Sequence, residues 1–296
     1  MGVSAAQFER AREMLPPAVR MVEMSTEGSW ARDHGATFVV DGNGRRRAVD
    51  WRFNAWGGLY EPEQDLLIAT KIAEIEGDAR YRAELVLEGG SIHVDGEGTC
   101  LTTEECLLNP NRNPDLSKAE IEEQLKRYLG VEKVIWLGRG VIDDVTSGHV
   151  DNLACFARPG VVCLTWTDEE SDPQHAVSAD AFARLQVATD ARGRSLEVVR
   201  LPSPGPLAFE AGETEGYTGD PATHPQPGER LAGSYVNFYI ANEAVIVPLL
   251  DERTDEEALS VLRGLFEDRR VVGLECREIL LGGGDVHCIT QQVPVG

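Results

Sequence analysis

The chain has 296 residues, 42% of them hydrophobic and 26% charged, as in soluble globular proteins, and no apolar run reaches the roughly 18 residues that span a bilayer. With 50 acidic residues against 28 basic, the net charge of −22 disfavours nucleic acid and anionic membranes and is compatible with a cationic ligand. The six cysteines form no CxxC pair, which points to neither a zinc site nor a disulfide framework, and residues 1–13 lack the apolar stretch of a secretory signal, so a cytoplasmic location is expected.

Ser4 and Gln7 have the spacing of a capping box ahead of a first helix with Phe8 and Leu15. A strand over 21–24 follows, then the loop Trp30-Ala31-Arg32-Asp33 and a hairpin of 36–40 with 48–52 across Asp41-Gly42-Asn43-Gly44. A second helix over 64–76 carries Leu67, Ile68, Ile72 and Ile75 and stops at Gly77. It leads to a strand over 84–87, the loop Glu88-Gly89-Gly90-Ser91, and a hairpin of 91–94 with 99–102 around Asp95-Gly96. Ser117 and Glu120 box the third helix, which carries Ile121, Leu125 and Leu129. A strand over 134–137, the loop Ser147-Gly148-His149-Val150-Asp151-Asn152 and a hairpin of 152–157 with 160–165 come next. Ser178 is the expected cap of a fourth helix with Phe182 and Leu185, which gives way to a strand over 196–201. A proline- and glycine-rich segment from Pro202 to Leu231, a candidate lid, separates it from Ala232-Gly233-Ser234 and a hairpin of 235–240 with 244–249. Thr254 and Glu257 box a fifth helix with Leu259, Leu262 and Phe266, followed by a strand over 271–274. The loop Gly282-Gly283-Gly284-Asp285-Val286-His287-Cys288 then runs into a last strand over 286–292.

Helix, strand, loop and hairpin thus recur five times at a spacing of about 55 to 75 residues. The expected architecture is one α/β domain over 1–296, a propeller-like ring of five units whose loops converge on a central axis. The first unit begins directly with a helix and the last ends in a single strand, so the strand that would close such a ring is absent from the sequence.

The convergent loops supply a thiol, a histidine and several carboxylates. Cys288 follows three glycines that leave room for a substrate, although a cysteine in a strand is more often a packing residue. His287 would point to the opposite face of that strand, which makes it a poor base for Cys288. His149 and Asp151, two residues apart, would share one side of an extended chain; a structural histidine is the commoner case. Asp33 serves equally as a turn or cap residue. These residue types suit guanidine chemistry. A guanidinium is a planar cation with a pKa above about 12, whose carbon resists attack until carboxylates hold it by paired hydrogen bonds and a strong nucleophile faces it. A thiolate among carboxylates is disfavoured, and a cationic substrate with a protonated histidine offsets that repulsion.

At these loops, and in Val49-Asp50-Trp51-Arg52-Phe53-Asn54-Ala55-Trp56-Gly57-Gly58 and Ser234-Tyr235-Val236-Asn237-Phe238-Tyr239-Ile240-Ala241-Asn242, the sequence resembles the agmatine deiminase branch of the pentein-fold, guanidine-modifying enzymes. The resemblance implies a pentein ring and attack of Cys288 on the guanidinium carbon, with Asp33 and Asp151 clamping its nitrogens. It implies that His149 protonates the departing ammonia and then activates water, and that Glu88 supports the clamp or orients His149. Trp30, Gly283 and Gly284 complete the expected substrate-binding set. The substrate is then a small guanidine, agmatine giving N-carbamoylputrescine and ammonia, with no metal or organic cofactor. Arginine or peptidyl arginine, or ligand or partner binding without turnover, are the other readings. Four positions depart from the family: His34 stands for a threonine, Ser147 for Asp or Asn, Asp285 for Asn, and Val145 for an acidic residue of the substrate pocket. The family also has a segment of several dozen residues before the first helix, including a strand beside that of Cys288, and assembles as dimers or larger homo-oligomers.

Overall fold

The computed structural model describes residues 1–215, 217 and 224–295, so part of the candidate lid, residues 216 and 218–223, lies outside the described residues. Met1–Gly89 with Gln291–Gly296 makes one compact unit and Gly90–Thr290 a second.

In the first unit, Thr37–Val40 and Arg46–Arg52 form an antiparallel hairpin, and Ala79–Val86 adds to Arg46–Arg52 in parallel. The turn of the hairpin is fixed by Asp41, whose Oδ1 accepts the amides of Asn43 and Arg45 at 2.8 and 2.9 Å. Ile68–Glu76 bridges the two parallel strands and ends at Gly77, as the periodicity predicts. Its Ala69 and Ala73 pack on Ala36 and Ala48, so small residues on both sides bring helix and sheet close together. The C-terminal residues are stitched in by Gln291, whose Nε2 donates to Ala36 O at 2.7 Å, and by Gln292, whose Oε1 accepts from Arg32 at 2.6 Å. A Cβ on Gly89 would overlap the carbonyl oxygen of Arg32, so the loop Glu88-Gly89 and the turn of Arg32 and Asp33 fit only with glycine there. Gly89→Ala is expected to cost about 1–3 kcal/mol, read as a lower urea midpoint at unchanged slope.

The second unit repeats the same pattern three times. Its sheets are Ile92–Val94, Thr99–Thr103 and Lys133–Leu137; Ala154–Arg158, Val161–Trp166 and Glu197–Pro202; and Tyr239–Ile240, Ala244–Leu249 and Arg270–Glu275. In each, the hairpin is antiparallel and the strand after the next helix joins it in parallel. The sheet is therefore out of phase with the predicted repeat, because each strand that follows a helix pairs with the hairpin before that helix. A parallel neighbour needs such a crossover, and the helix provides it. Leu153, Phe156, Leu164 and Leu185 belong to one apolar core, and Tyr235, Val245, Leu262 and Phe266 to another.

Several local expectations give way to the structure. Only the box of Ser117 and Glu120 forms. Ser4 Oγ instead donates to the Gln7 side chain, and the Thr254 hydroxyl is taken up by Tyr235 at 2.9 Å. The fourth helix starts earlier, at Pro173, with Asp172 accepting from the Gln174 amide; Ser178 is buried inside it and accepts from the Gln174 side chain. A two-residue strand, Gly2–Val3, precedes the first helix and pairs in parallel with Val22–Glu23. Residues 286–292 form no strand: Val286–Ile289 is a turn, and Thr290 Oγ1 accounts for the Val286 carbonyl at 3.1 Å. No helix among the described residues is long and apolar enough to cross a membrane.

Candidate active site

Cys288 lies in this turn, 5% exposed, in the second unit. Its Sγ accepts from Asn237 Nδ2 at 3.2 Å and stands 3.7 Å from Asp151 Oδ2. Asp151 sits in the helical turn Val150–Leu153, so the extended-chain argument that paired it with His149 does not hold. The helical turn has His149 at its N-cap, fully buried, with its amide donating to Asp144 Oδ2 at 3.0 Å. Asp144 also accepts from Thr146 N and Oγ1, and Thr103 Oγ1 donates to Gly148 O, so both sides of His149 are anchored. A ring nitrogen of His149 and Cys106 Sγ lie within 4.8 Å of one another.

The turn at 286–289 also changes the reading of His287. Without a strand, adjacent side chains need not oppose each other, and His287 Nδ1 lies 2.7 Å from the same Asp151 Oδ2 that faces Cys288. His287 is thereby a partner of Asp151, placed 8% exposed against His93 with ring centroids 5.9 Å apart.

Asn237 is the residue that sequence reasoning passed over. It is fully buried, and its carboxamide joins three segments. Nδ2 donates to Asn152 Oδ1 at 2.8 Å as well as to the sulfur, while Oδ1 accepts from His287 N at 2.9 Å. A polar residue between Val236 and Phe238 in an apolar run was the available signal, since a buried amide must find partners. The run itself is anchored by Tyr235, whose hydroxyl donates to Asp255 Oδ1 at 2.6 Å. Other buried cysteines differ in kind. Burial pushes the thiols of Cys100 and Cys276 up to about 12, which leaves them protonated and inert.

Gly283 has a left-handed φ of +101°, which a side chain would strain, and a Cβ there would meet Val145 at 3.3 Å. Val145 is 60% exposed, so the aliphatic side chain that replaces the expected acid stands at the glycine loop.

Asp33, Trp30 and Glu88 belong to the first unit. Trp30 is half-buried at the N-cap of Ala31–His34, and Asp33 and Glu88 are buried. Asp33 Oδ2 accepts from Trp56 Nε1 at 2.9 Å. Ala55 and Trp56 both adopt φ near +50°, at 53° and 52°, a conformation that costs about 1–3 kcal/mol per residue. Asn54 Oδ1 holds the bend by accepting from Gly57 N at 2.9 Å. The bend brings the Trp56 indole to Asp33, an arrangement that no spacing rule gives.

Residues 1–294 match the family model described as Porphyromonas-type peptidyl-arginine deiminase. A Photobacterium profundum protein with the name "Putative agmatine deiminase" is 53% identical over 99% of this chain and 82% of its own length. Among solved structures, the agmatine deiminase of Enterococcus faecalis superposes with a TM-score of 0.94 at 45% identity, covering 99% of this chain and 82% of that one. A C. jejuni agmatine deiminase with a serine in place of a cysteine, solved with substrate bound, gives a TM-score of 0.84 at 30% identity over 97% and 79%. The fold shared with these proteins is the α/β pentein class that the resemblance implies.

Proposed function

Because the chain belongs to the Porphyromonas-type peptidyl-arginine deiminase family, with relatives half identical to it named for agmatine, we propose that it hydrolyses agmatine to N-carbamoylputrescine and ammonia. The observation that carries the reading is Cys288 Sγ set between the Asn237 amide and the Asp151 carboxylate. A carboxylate in that place repels the nucleophile unless a cation comes between them, and a guanidinium is the cation whose carbon the sulfur can attack.

In the proposed sequence, Asp151 and Asp33 hold the guanidinium nitrogens. Cys288 attacks the central carbon; the C–N bond breaks, and His149 gives the leaving ammonia its proton. The same nitrogen of His149 then takes a proton from water, whose oxygen adds to the amidino carbon. The C–S bond breaks, and the thiolate returns as the ureido product leaves. The roles of Asp33, Trp30 and Glu88 rest on their motifs, and those of Gly283 and Gly284 on the room the glycines leave beside Cys288. We take residues 1–296 as one functional domain, on the family match over 1–294, acting in the cytoplasm as a homo-oligomer. A monomer by light scattering would remove the last point.

Val145 favours a second reading, since an exposed aliphatic group at the glycine loop offers no charge to the amine of agmatine. Purified protein is therefore assayed for ammonia release from agmatine, arginine and a peptidyl arginine. The proposal expects agmatine to give the largest kcat/KM by at least about tenfold, the value of one lost charged contact. A larger value for either arginine substrate replaces it.

A further inference from the structure

Three residues before Cys288 stands a carboxyl group that the reaction above does not use. Asp285 is fully buried. Its Oδ2 takes a long contact from Ser234 N at 3.5 Å, and its Oδ1 has no hydrogen-bond partner among the described residues. An ionised carboxylate in such a place lacks the two or three donors that stabilise buried charge, whereas a neutral acid forgoes much less. The titratable groups facing it from packed elements are Asp151, from Val150–Leu153, and Cys276, at the N-cap of Arg277–Leu280. Both are acids, so ionisation would place a second negative charge beside Asp151 in the same buried region.

We infer that Asp285 acts as a neutral carboxylic acid, a positioning residue that seats the turn carrying His287 and Cys288 against Ser234, and that loss of its proton sets the alkaline limit of the enzyme. The inference rests on the deiminase reading for its kinetic consequence alone. Burial, aided by the charge of Asp151 and opposed by the Ser234 amide, moves the carboxyl up to about 8, within reach of mild alkali. The folded protein keeps this proton from about pH 4, where the unfolded carboxyl loses it, to about pH 8, so stability falls across that interval and then levels. An asparagine, neutral at every pH and nearly the same shape, escapes both effects.

The test compares wild type with Asp285→Asn, and with Asp285→Ser should the first fail to fold, in two measurements. In the first, wild-type kcat/KM for agmatine falls about tenfold between pH 7 and pH 9, the loss expected of one proton, and the limb moves at least one pH unit higher in the variant. In the second, the melting temperature of the variant minus that of wild type grows from about pH 5 to about pH 8 and then stays level. An alkaline limb that does not move, or a melting difference constant over that range, overturns the inference. A wild type without agmatine turnover defeats the deiminase reading instead, and the melting series still decides whether Asp285 holds its proton.

Discussion

Cys288→Ala is expected to lower ammonia release from agmatine by about 10⁴-fold or more, because no other group can form the covalent intermediate. The change removes one sulfur from a site 5% exposed, so the cost in stability is about 1 kcal/mol and the protein stays folded. Activity and folding are thus separable in one variant, with circular dichroism as the control. A haloacetamidine should add one amidine group to the wild type and none to Cys288→Ala. The bystander thiols support this selectivity, since Cys100, Cys155 and Cys276 are all held protonated by burial. Residual turnover above about one part in a hundred would mean that water attacks the guanidinium carbon directly and that Cys288 only binds.

The parts of this site differ in how far the sequence discloses them. Helix positions came from apolar spacing, and Ile68–Glu76 and Lys118–Leu129 are where residues such as Ile68 and Ile121 put them. Hairpins were legible from turn chemistry, as Asp41 demonstrates by binding the amides of its own turn. Which strand joins which hairpin was not legible, because the helix linking two strands says nothing about the side on which the chain returns. Cys288 was visible as a motif, but its setting was not. The segment from Val286 to Gln292, with Val286, Cys288 and Ile289 in alternation with polar residues or beside them, reads as a strand, whereas in the structure Val286–Ile289 is a turn whose Cys288 meets Asn237 and Asp151. That one misreading dismissed His287, since strand alternation was the sole argument against it. Caps failed for a similar reason. The Thr254 hydroxyl is capable of capping, yet Tyr235 competes for it from 19 residues away, and no local rule anticipates a distant partner.

Asn237→Ala should reduce kcat by about 10²- to 10³-fold, the effect of deleting one aimed donor from a site that excludes water. Two consequences of the side chain are lost together. The Nδ2 hydrogen bond to Cys288 Sγ at 3.2 Å favours the charged sulfur, and Oδ1 satisfies the amide of His287 at 2.9 Å. Losing the first makes the thiol harder to ionise, so the pH profile of alkylation by iodoacetamide moves to higher pH. Losing the second leaves the buried His287 N–H with only its 3.1 Å bond to the Asn237 carbonyl oxygen, which alanine keeps, and costs about 0.5–1.5 kcal/mol of stability. Asn237→Asp separates the two, because it keeps an acceptor for His287 while it replaces the donor to sulfur with a second anion near Asp151. It should therefore recover part of the melting temperature and move alkylation further toward alkaline pH than alanine does. If alanine lowers the melting temperature but leaves the alkylation profile in place, Asn237 holds the turn without tuning the sulfur. Equal alkylation profiles in all three proteins would assign the thiolate's stability to the helical turn at Val150–Leu153 and its neighbours instead.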